Sequence, residues 1–291
     1  NRYAQNFSII HIDIDGAELH KNIPADLAIK GDIRDAVDRL TALCEKKEHP
    51  EWSARIKKLR KEEAKRTESA LKSAYEKNCE NCAAQCDKSA LPADHRLSPY
   101  DIIDIIAANA GDVTVVTDVG QHQMWTAQRY PFTKPRTFLT SGGLGTMGYG
   151  MGAAIGAAAA TGRTSVLFTG DGSFGMNLNE LATAVSQNTP LVVVIMNNGV
   201  LGMVRQWQTL FFDKHYSNTT LDRKTDFVKL AEAFGAKGAR VFTKEELEKA
   251  AKEAFSCGGT YVIDCAVDCD EFVLPMLPPG GSIDDIITEI K

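Results

Sequence analysis

From Ser98 onward, short apolar runs alternate with stretches whose apolar residues recur every three or four positions. "DVTVVTDVG", "TSVLFTGDG", "PLVVVIMNN" and "TYVIDCAV" have strand length and are rich in β-branched residues. Around them, "SPYDIIDIIAANA", "GYGMGAAIGAAAAT", "NLNELATAVSQ", "FVKLAEAFGA" and "KEELEKAAKEAF" predict helices. Ser98 is a fitting N-cap, and Pro99 suits the first helical position, where its missing N–H costs nothing. The inner strands are apolar almost throughout, so both faces must be covered. The pattern therefore predicts an α/β fold with a parallel sheet and helices on both faces.

The N-terminal part reads differently. "FSIIHIDID" (residues 7–15) alternates and predicts a strand. "KGDIRDAVDRLTALCEK" puts Ile33, Val37, Leu40 and Leu43 on one helical stripe, with Asp32 as N-cap. This α/β piece has too few strands for a complete domain. A charged helix follows, with Trp52, Ile56 and Leu59 on one stripe, and then the linker "NCENCAAQCDKSALPADH". The expected organisation is a partial domain at 1–45, a charged helix and linker at 46–97, and the main domain at 98–291. The basic cluster "RIKKLRK" is interleaved with glutamates and reads as a solvated helix face. Cys79, Cys82, Cys86 and His95 are spaced C-x₂-C-x₃-C, which is no matched pair of zinc knuckles, so a linker without metal is expected.

Composition narrows the function. A formal net charge of −5 argues against a general nucleic-acid binder. No run approaches the roughly 18 apolar residues that span a bilayer, so no membrane segment is expected. Seven cysteines is an odd number, spread along a long chain, and suggests a reducing, cytoplasmic setting. The chain opens at Asn1, without Met and in mid-pattern, and so reads as an excised piece.

The chemistry concentrates between Gly170 and Gly199. A βαβ unit with right-handed crossover makes "TSVLFTGDG" and "PLVVVIMNN" parallel, with their C-terminal ends on one edge. Ligands of such sheets sit outside that edge. Asp171 and Asn198 then offer a carboxylate and an amide oxygen, a hard pair suited to Mg²⁺ or Ca²⁺. Gly170 and Gly172 let backbone approach a bulky anion, and Ser173 begins a segment whose N–H groups can face phosphate. A diphosphate held through a metal fits this set. The same residues also fit an ordinary turn in which Asp171 caps a helix and Asn197–Asn198 turns after a strand.

Gly170-Asp171-Gly172 followed by Asn197-Asn198 resembles the diphosphate-binding motif of thiamine-diphosphate (ThDP) enzymes. With "TDVGQHQMWTAQ", "TSGGLGTMGYG", "GMVRQWQ" and "PMLPPGG", residues 98–288 resemble the catalytic subunits of the acetolactate synthase (acetohydroxyacid synthase) family. "IIHIDID" and "IKGDIRD" resemble the end of that family's central, FAD-binding domain. The resemblance implies a ThDP- and Mg²⁺-dependent carboligase that decarboxylates pyruvate and joins the two-carbon unit to pyruvate or 2-oxobutyrate. FAD, a homodimer or tetramer, and a regulatory small subunit are implied as well.

By the same resemblance, Asp171, Asn198 and the carbonyl of Val200 hold the metal. Cofactor contacts fall on Gly120, Gln121, His122, Gly145, Met147, Gly170, Asp171, Gly172, Ser173, Asn198, Val200, Leu201, Gly202 and Met203. Met147 is the wedge beneath a bent cofactor, a task that suits a bulky, polarizable side chain. Met203 and Trp207 line the substrate pocket, Trp207 favouring the larger second substrate. Asp13, Ile14, Asp32 and Ile33 fall where the family touches the adenosine end of FAD. The family's catalytic Glu comes from a separate N-terminal domain, and no Glu of this chain takes its role, so these 291 residues alone are expected to be inactive. Gly152 and Gly175 depart from the family pattern. Two other readings remain open: another ThDP-dependent 2-oxo-acid decarboxylase or carboligase, and a non-catalytic cofactor-binding fragment.

Overall fold

The computed structural model describes residues 7–77, 97–222 and 224–289, with side chains as far as residue 65 in the first span. The Cys79, Cys82, Cys86 and His95 cluster lies outside the described residues. The chain divides into two compact units, one of residues up to 67 with 275–288, the other essentially 68–274.

In the first unit, strands β1 (Ile10–Asp13) and β2 (Leu27–Lys30) pair in parallel, with Asp13 opposite Lys30. Helix α1 (Ile33–Leu43) follows at once. Asp32 caps it as expected, its carboxylate accepting the Arg34 N–H at 2.7 Å. The apolar stripe of Ile33, Val37, Leu40 and Leu43 is exposed. Helix α2 (Pro50–Lys77) is the charged helix; Trp52 and Leu59 on its stripe are exposed.

Among the described residues, the second unit is built on six parallel strands. Along the chain these are β3 (Thr114–Thr117), β4 (Phe138–Thr140), β5 (Ser165–Gly170), β6 (Leu191–Asn197), β7 (Lys237–Val241) and β8 (Thr260–Ala266). Their order across the sheet is β4-β3-β5-β6-β8-β7. The helices are α3 (Pro99–Ala110), α4 (Gln121–Arg129), α5 (Tyr149–Thr161), α6 (Asp171–Asn177), α7 (Leu181–Ser186), α8 (Gly202–Phe211), α9 (Phe227–Phe234) and α10 (Lys244–Ser256). Ser98 caps α3 in a full capping box with Asp101, and Pro99 leads the helix.

Alternation along the central strands gives the sheet two cores. Val166, Phe168, Val192 and Val194 face one way, among Ile102, Ile106 and Trp125. Leu167, Val193 and Ile195 face the other, among Met151, Ala154, Phe174 and Phe227. This is the sheet covered on both faces that the apolar runs predict. The small residues of α5 allow close contact with the sheet, and Gly150, Met151 and Ala154 are all buried there.

Three local expectations need correction. "NLNELATAVSQ" is not one helix: α6 starts at Asp171, a 3₁₀ turn covers Leu178–Glu180, and α7 begins at Leu181. Gly170 is the N-cap of α6 and has no side chain to cap with, so Asp171 is a first-turn residue and not a cap. Strands β4 and β7 have no counterpart among the predicted elements. No helix among the described residues is long and apolar enough to cross a membrane.

Candidate cofactor site

The sheet topology decides where a ligand can sit. The chain leaves β3, visits β4 on one side, and returns as β5 on the other. The strand order thus reverses between β3 and β5, and the crevice outside their C-terminal ends is the expected site. Thr117 lies opposite Phe168, and Gly170 opposite Met196. The loops after β3, β5 and β6 therefore emerge side by side. They carry Gly120–His122, Asp171–Ser173 and Asn198–Val200.

The first two loops touch. A Cβ placed on Gly170 would lie 3.1 Å from His122 Nδ1, so the imidazole rests against the backbone there. His122 is buried, and burial holds its pKa down to about 3, against the partial opposition of a hydrogen bond to the Asp118 backbone. Among the described residues its buried Nε2 has no hydrogen-bond partner. A buried imidazole nitrogen with nothing to bond is a place for a ligand atom. Ser173 Oγ donates to the Val119 carbonyl at 2.7 Å and ties α6 to the loop after β3.

The two adjacent asparagines do different work. Asn197 Nδ2 donates to Asp264 Oδ1 at 2.9 Å, linking β6 to β8. Burial raises the Asp264 pKa; this bond and Arg240 lower it. Asn198 turns to the crevice. Its Oδ1 accepts the Val200 N–H at 3.2 Å, and its Nδ2 donates to Gln121 Oε1 at 3.3 Å. Gln121 is fixed in turn: its Nε2 donates to Gln206 Oε1 at 3.0 Å and to the Glu271 carbonyl at 2.8 Å. Gln206 is fully buried and closes the network on Val273, accepting its N–H at 2.8 Å and donating to its carbonyl at 2.9 Å. Sequence reading missed Gln206; its partners lie more than sixty positions away, and no spacing rule connects them.

Gly202 opens α8 directly against this network. A Cβ there would fall 1.9 Å from Gln121 Oε1 and 2.8 Å from Asn198 Nδ2. Gly172 is a second close approach: its Cβ would meet Leu201 Cδ2 at 2.9 Å and Met147 Cε at 3.7 Å. The structure thereby brings Met147, Gly172 and Leu201 together. Gly145 stands two residues before Met147 in the left-handed region at φ +68°.

Met203 and Trp207 also come together. With Val204, Phe211 and Phe212 they line an apolar cavity of about 790 Å³ on α8. Trp207 meets Phe211 edge-on, with ring centroids 5.4 Å apart. It is not buried in the core but 36% exposed. The buried Arg205 anchors the other side of α8, with Nη2 2.7 Å from Asp270 Oδ1 and the guanidinium 4.0 Å over the Tyr216 ring. In the first unit, Asp13 ends β1 and Asp32 follows β2 on the same edge of the small sheet, while Ile14 and Ile33 are exposed.

Around the crevice the structure brings together the linked amides of Gln121 and Asn198, a buried imidazole nitrogen and closely approached glycine backbone, and α6 opens there at Asp171. Glycine, with no side chain, lets backbone come close to a bulky ligand. Comparison with known proteins gives this class of site a name. The chain belongs to the thiamine pyrophosphate enzymes: their C-terminal TPP binding domain matches residues 118–265. Within that class it is similar to acetolactate synthases. It is 38% identical over 292 residues to the isozyme 2 large subunit of Escherichia coli (strain K12), covering 100% of this chain and 49% of that protein. A probable large subunit from Methanocaldococcus jannaschii is 39% identical, covering 99% and 47%. The mitochondrial catalytic subunit of Saccharomyces cerevisiae is 39% identical, covering 96% and 38%. The chain spans about half the length, or less, of these curated relatives.

Proposed function

We propose that this chain supplies the diphosphate- and metal-binding half of an acetolactate synthase. The whole protein would decarboxylate pyruvate and condense the two-carbon unit with pyruvate or 2-oxobutyrate. One observation carries the reading: the segments after β3, β5 and β6 are tied together outside the sheet edge, and the first of them holds the buried, unpartnered Nε2 of His122. When bound, ThDP supplies the electron sink for decarboxylation and carbon–carbon bond formation.

The residues of the chain bind, orient and shield. Asp171, Asn198 Oδ1 and the Val200 carbonyl hold Mg²⁺. Gln121 and His122 would meet the diphosphate through their backbone N–H groups in the first turn of α4, since both Nε2 hydrogens of Gln121 are donated elsewhere. Met147, packed near Gly172 and Leu201, supports the bent cofactor. Met203 and Trp207 present apolar surface to the second 2-oxo acid and exclude water from the reacting end. Further parts of the reading are FAD in the whole protein, with Asp13, Ile14, Asp32 and Ile33 toward its adenosine end, assembly as a dimer or tetramer, and a regulatory subunit. The odd number of cysteines, spread along the chain, suits a reducing, cytoplasmic setting.

The test is calorimetry of ThDP with Mg²⁺ on the full-length protein and on Asp171→Ala. The variant should lose Mg²⁺-dependent binding, because a charged metal ligand is gone. Unchanged affinity would remove the metal assignment. The unsubstituted protein should form acetolactate from pyruvate; acetaldehyde as sole product would make it a decarboxylase.

A further inference from the structure

Asp118 carries a buried carboxylate that lies outside the hydrogen-bond network of Gln121, Asn198 and Gln206. It directly follows β3 and reaches across to the start of α5. Its Oδ1 accepts the Gly148 N–H at 2.7 Å and the Val119 N–H at 3.2 Å. Its Oδ2 is 3.4 Å from Thr169 Oγ1 on β5. A Cβ on Gly150 would come within 3.0 Å of the same Oδ2, so the carboxylate is packed directly against the first turn of α5. Burial raises the Asp118 pKa; the bonds from Gly148, Val119, Thr169 and Gly150 work against that and favour the charged form.

The peptide it grips is the one joining Met147 to Gly148. Gly148 is the N-cap of α5, so its N–H has no partner within the helix. It sits in the left-handed region at φ 90°, ψ −3°, and a Cβ there would meet Met176 Cβ at 3.2 Å. The peptide on its other side is gripped as well: Asn177 Nδ2, from the last residue of α6, donates to the Gly148 carbonyl at 3.2 Å. One residue is thus held at its N–H by the residue after β3 and at its carbonyl by the end of α6. The residue just before it is Met147, whose methyl group lies near Gly172.

We propose that Asp118 and Asn177 are positioning residues that clamp the Met147–Gly148 turn, so that Met147 meets the cofactor in one conformation. This rests on the reading of Met147 as the support beneath ThDP. Neither residue would touch the diphosphate or the metal. Loss of the clamp should therefore weaken turnover far more than cofactor affinity. It also joins the two ends of the site, since α6 begins at Asp171 and ends at Asn177.

The experiment uses full-length protein carrying Asp118→Ala, Asp118→Asn or Asn177→Ala. Three quantities are read: amide exchange at Gly148 by NMR, kcat, and the Kd of ThDP with Mg²⁺. In Asp118→Ala, exchange at Gly148 should accelerate and kcat should fall, each by about tenfold or more, as expected for loss of a hydrogen bond to a charged group. The Kd should change by less than about threefold, since the diphosphate contacts are intact. Asp118→Asn keeps an oxygen for the Gly148 N–H and should recover protection and most of kcat. Should Asp118→Ala not fold, Asn177→Ala at its half-buried position carries the same split between kcat and Kd.

Accelerated exchange with unchanged kcat would overturn the proposal, as would a proportional loss of kcat and affinity. Failure of the unsubstituted protein to bind ThDP would instead defeat the cofactor reading, and with it the positioning role. Gly148 exchange would still report whether the clamp exists.

Discussion

Gly202→Ala adds one carbon to the molecule at the tightest spot described. The new Cβ would lie 1.9 Å from Gln121 Oε1, 2.7 Å from Gln121 Cδ and 2.8 Å from Asn198 Nδ2. Something must move. The end of a glutamine is ordinarily cheap to displace, but Gln121 is 4% exposed and bound through Nε2 to Gln206 and Glu271. Gln206 cannot follow, being held at both ends of its amide by Val273. Overpacking of this kind costs about 1–3 kcal/mol. Each buried polar group left unsatisfied adds about 1–3 kcal/mol. Alanine in place of glycine in a helix returns about 0.5–1 kcal/mol. The net expectation is a loss of about 2–4 kcal/mol. For a unit of this size each kcal/mol lowers Tm by about 2–4 °C, so a drop of roughly 5–15 °C should appear in calorimetric or circular-dichroism melts. Affinity for ThDP with Mg²⁺ should fall too, because Asn198 is displaced along with Gln121. A Gly202→Ala protein that melts within about 1 °C of the original would refute the close-packed network.

Two further outcomes follow from buried charge. His122 has its pKa held down to about 3 in the folded protein, against 6.5 ordinarily. The unfolded chain therefore takes up the proton first as pH falls. The stability His122 confers is present above about 6.5 and is lost at about 1.4 kcal/mol per pH unit below it. Urea unfolding of His122→Gln should show a shallower loss between about pH 6.5 and 4.5 than the original; identical slopes would place the acid sensitivity elsewhere. For the Arg205–Asp270 pair, Arg205→Met strands a mostly buried carboxylate and should cost about 2–4 kcal/mol, discounted for its partial exposure. Arg205→Met with Asp270→Asn should cost less than the single change, and a double-mutant cycle reads the difference.

The parts legible in the sequence were those whose signal is local. The long apolar strands β5, β6 and β8 announce themselves, as do Ser98 before Pro99 and the stripes of α9 and α10. β4 and β7 do not. β4 has three residues, all half-buried, and β7 is the edge strand "KGARV", whose two charged residues dilute its pattern. The break between α6 and α7 was hidden because Leu178 and Leu181 keep helical spacing through a 3₁₀ turn. At the site, Asp171 and the Asn197–Asn198 pair stood out because they end successive strands. Asp118 has the same standing, an acid after an apolar strand and shortly before a glycine, and that signal was there to be weighed. Asn177 and Gln206 left none. Each is a single polar residue whose partner is set by how the helices pack, and packing is not written in any neighbouring residues.

Among the described residues, the strand of this sheet that is made latest, β8, is not at its edge. β8 lies between β6 and β7, so β7 has no other neighbour to pair with. A nascent chain halted before Thr260 would present the apolar β6 with one edge open and would leave β7 unattached. Such an edge invites pairing with another chain. Synthesis must therefore run nearly to the end of this unit before its sheet can close, and the interval before that is when an emerging molecule most needs shielding from its neighbours.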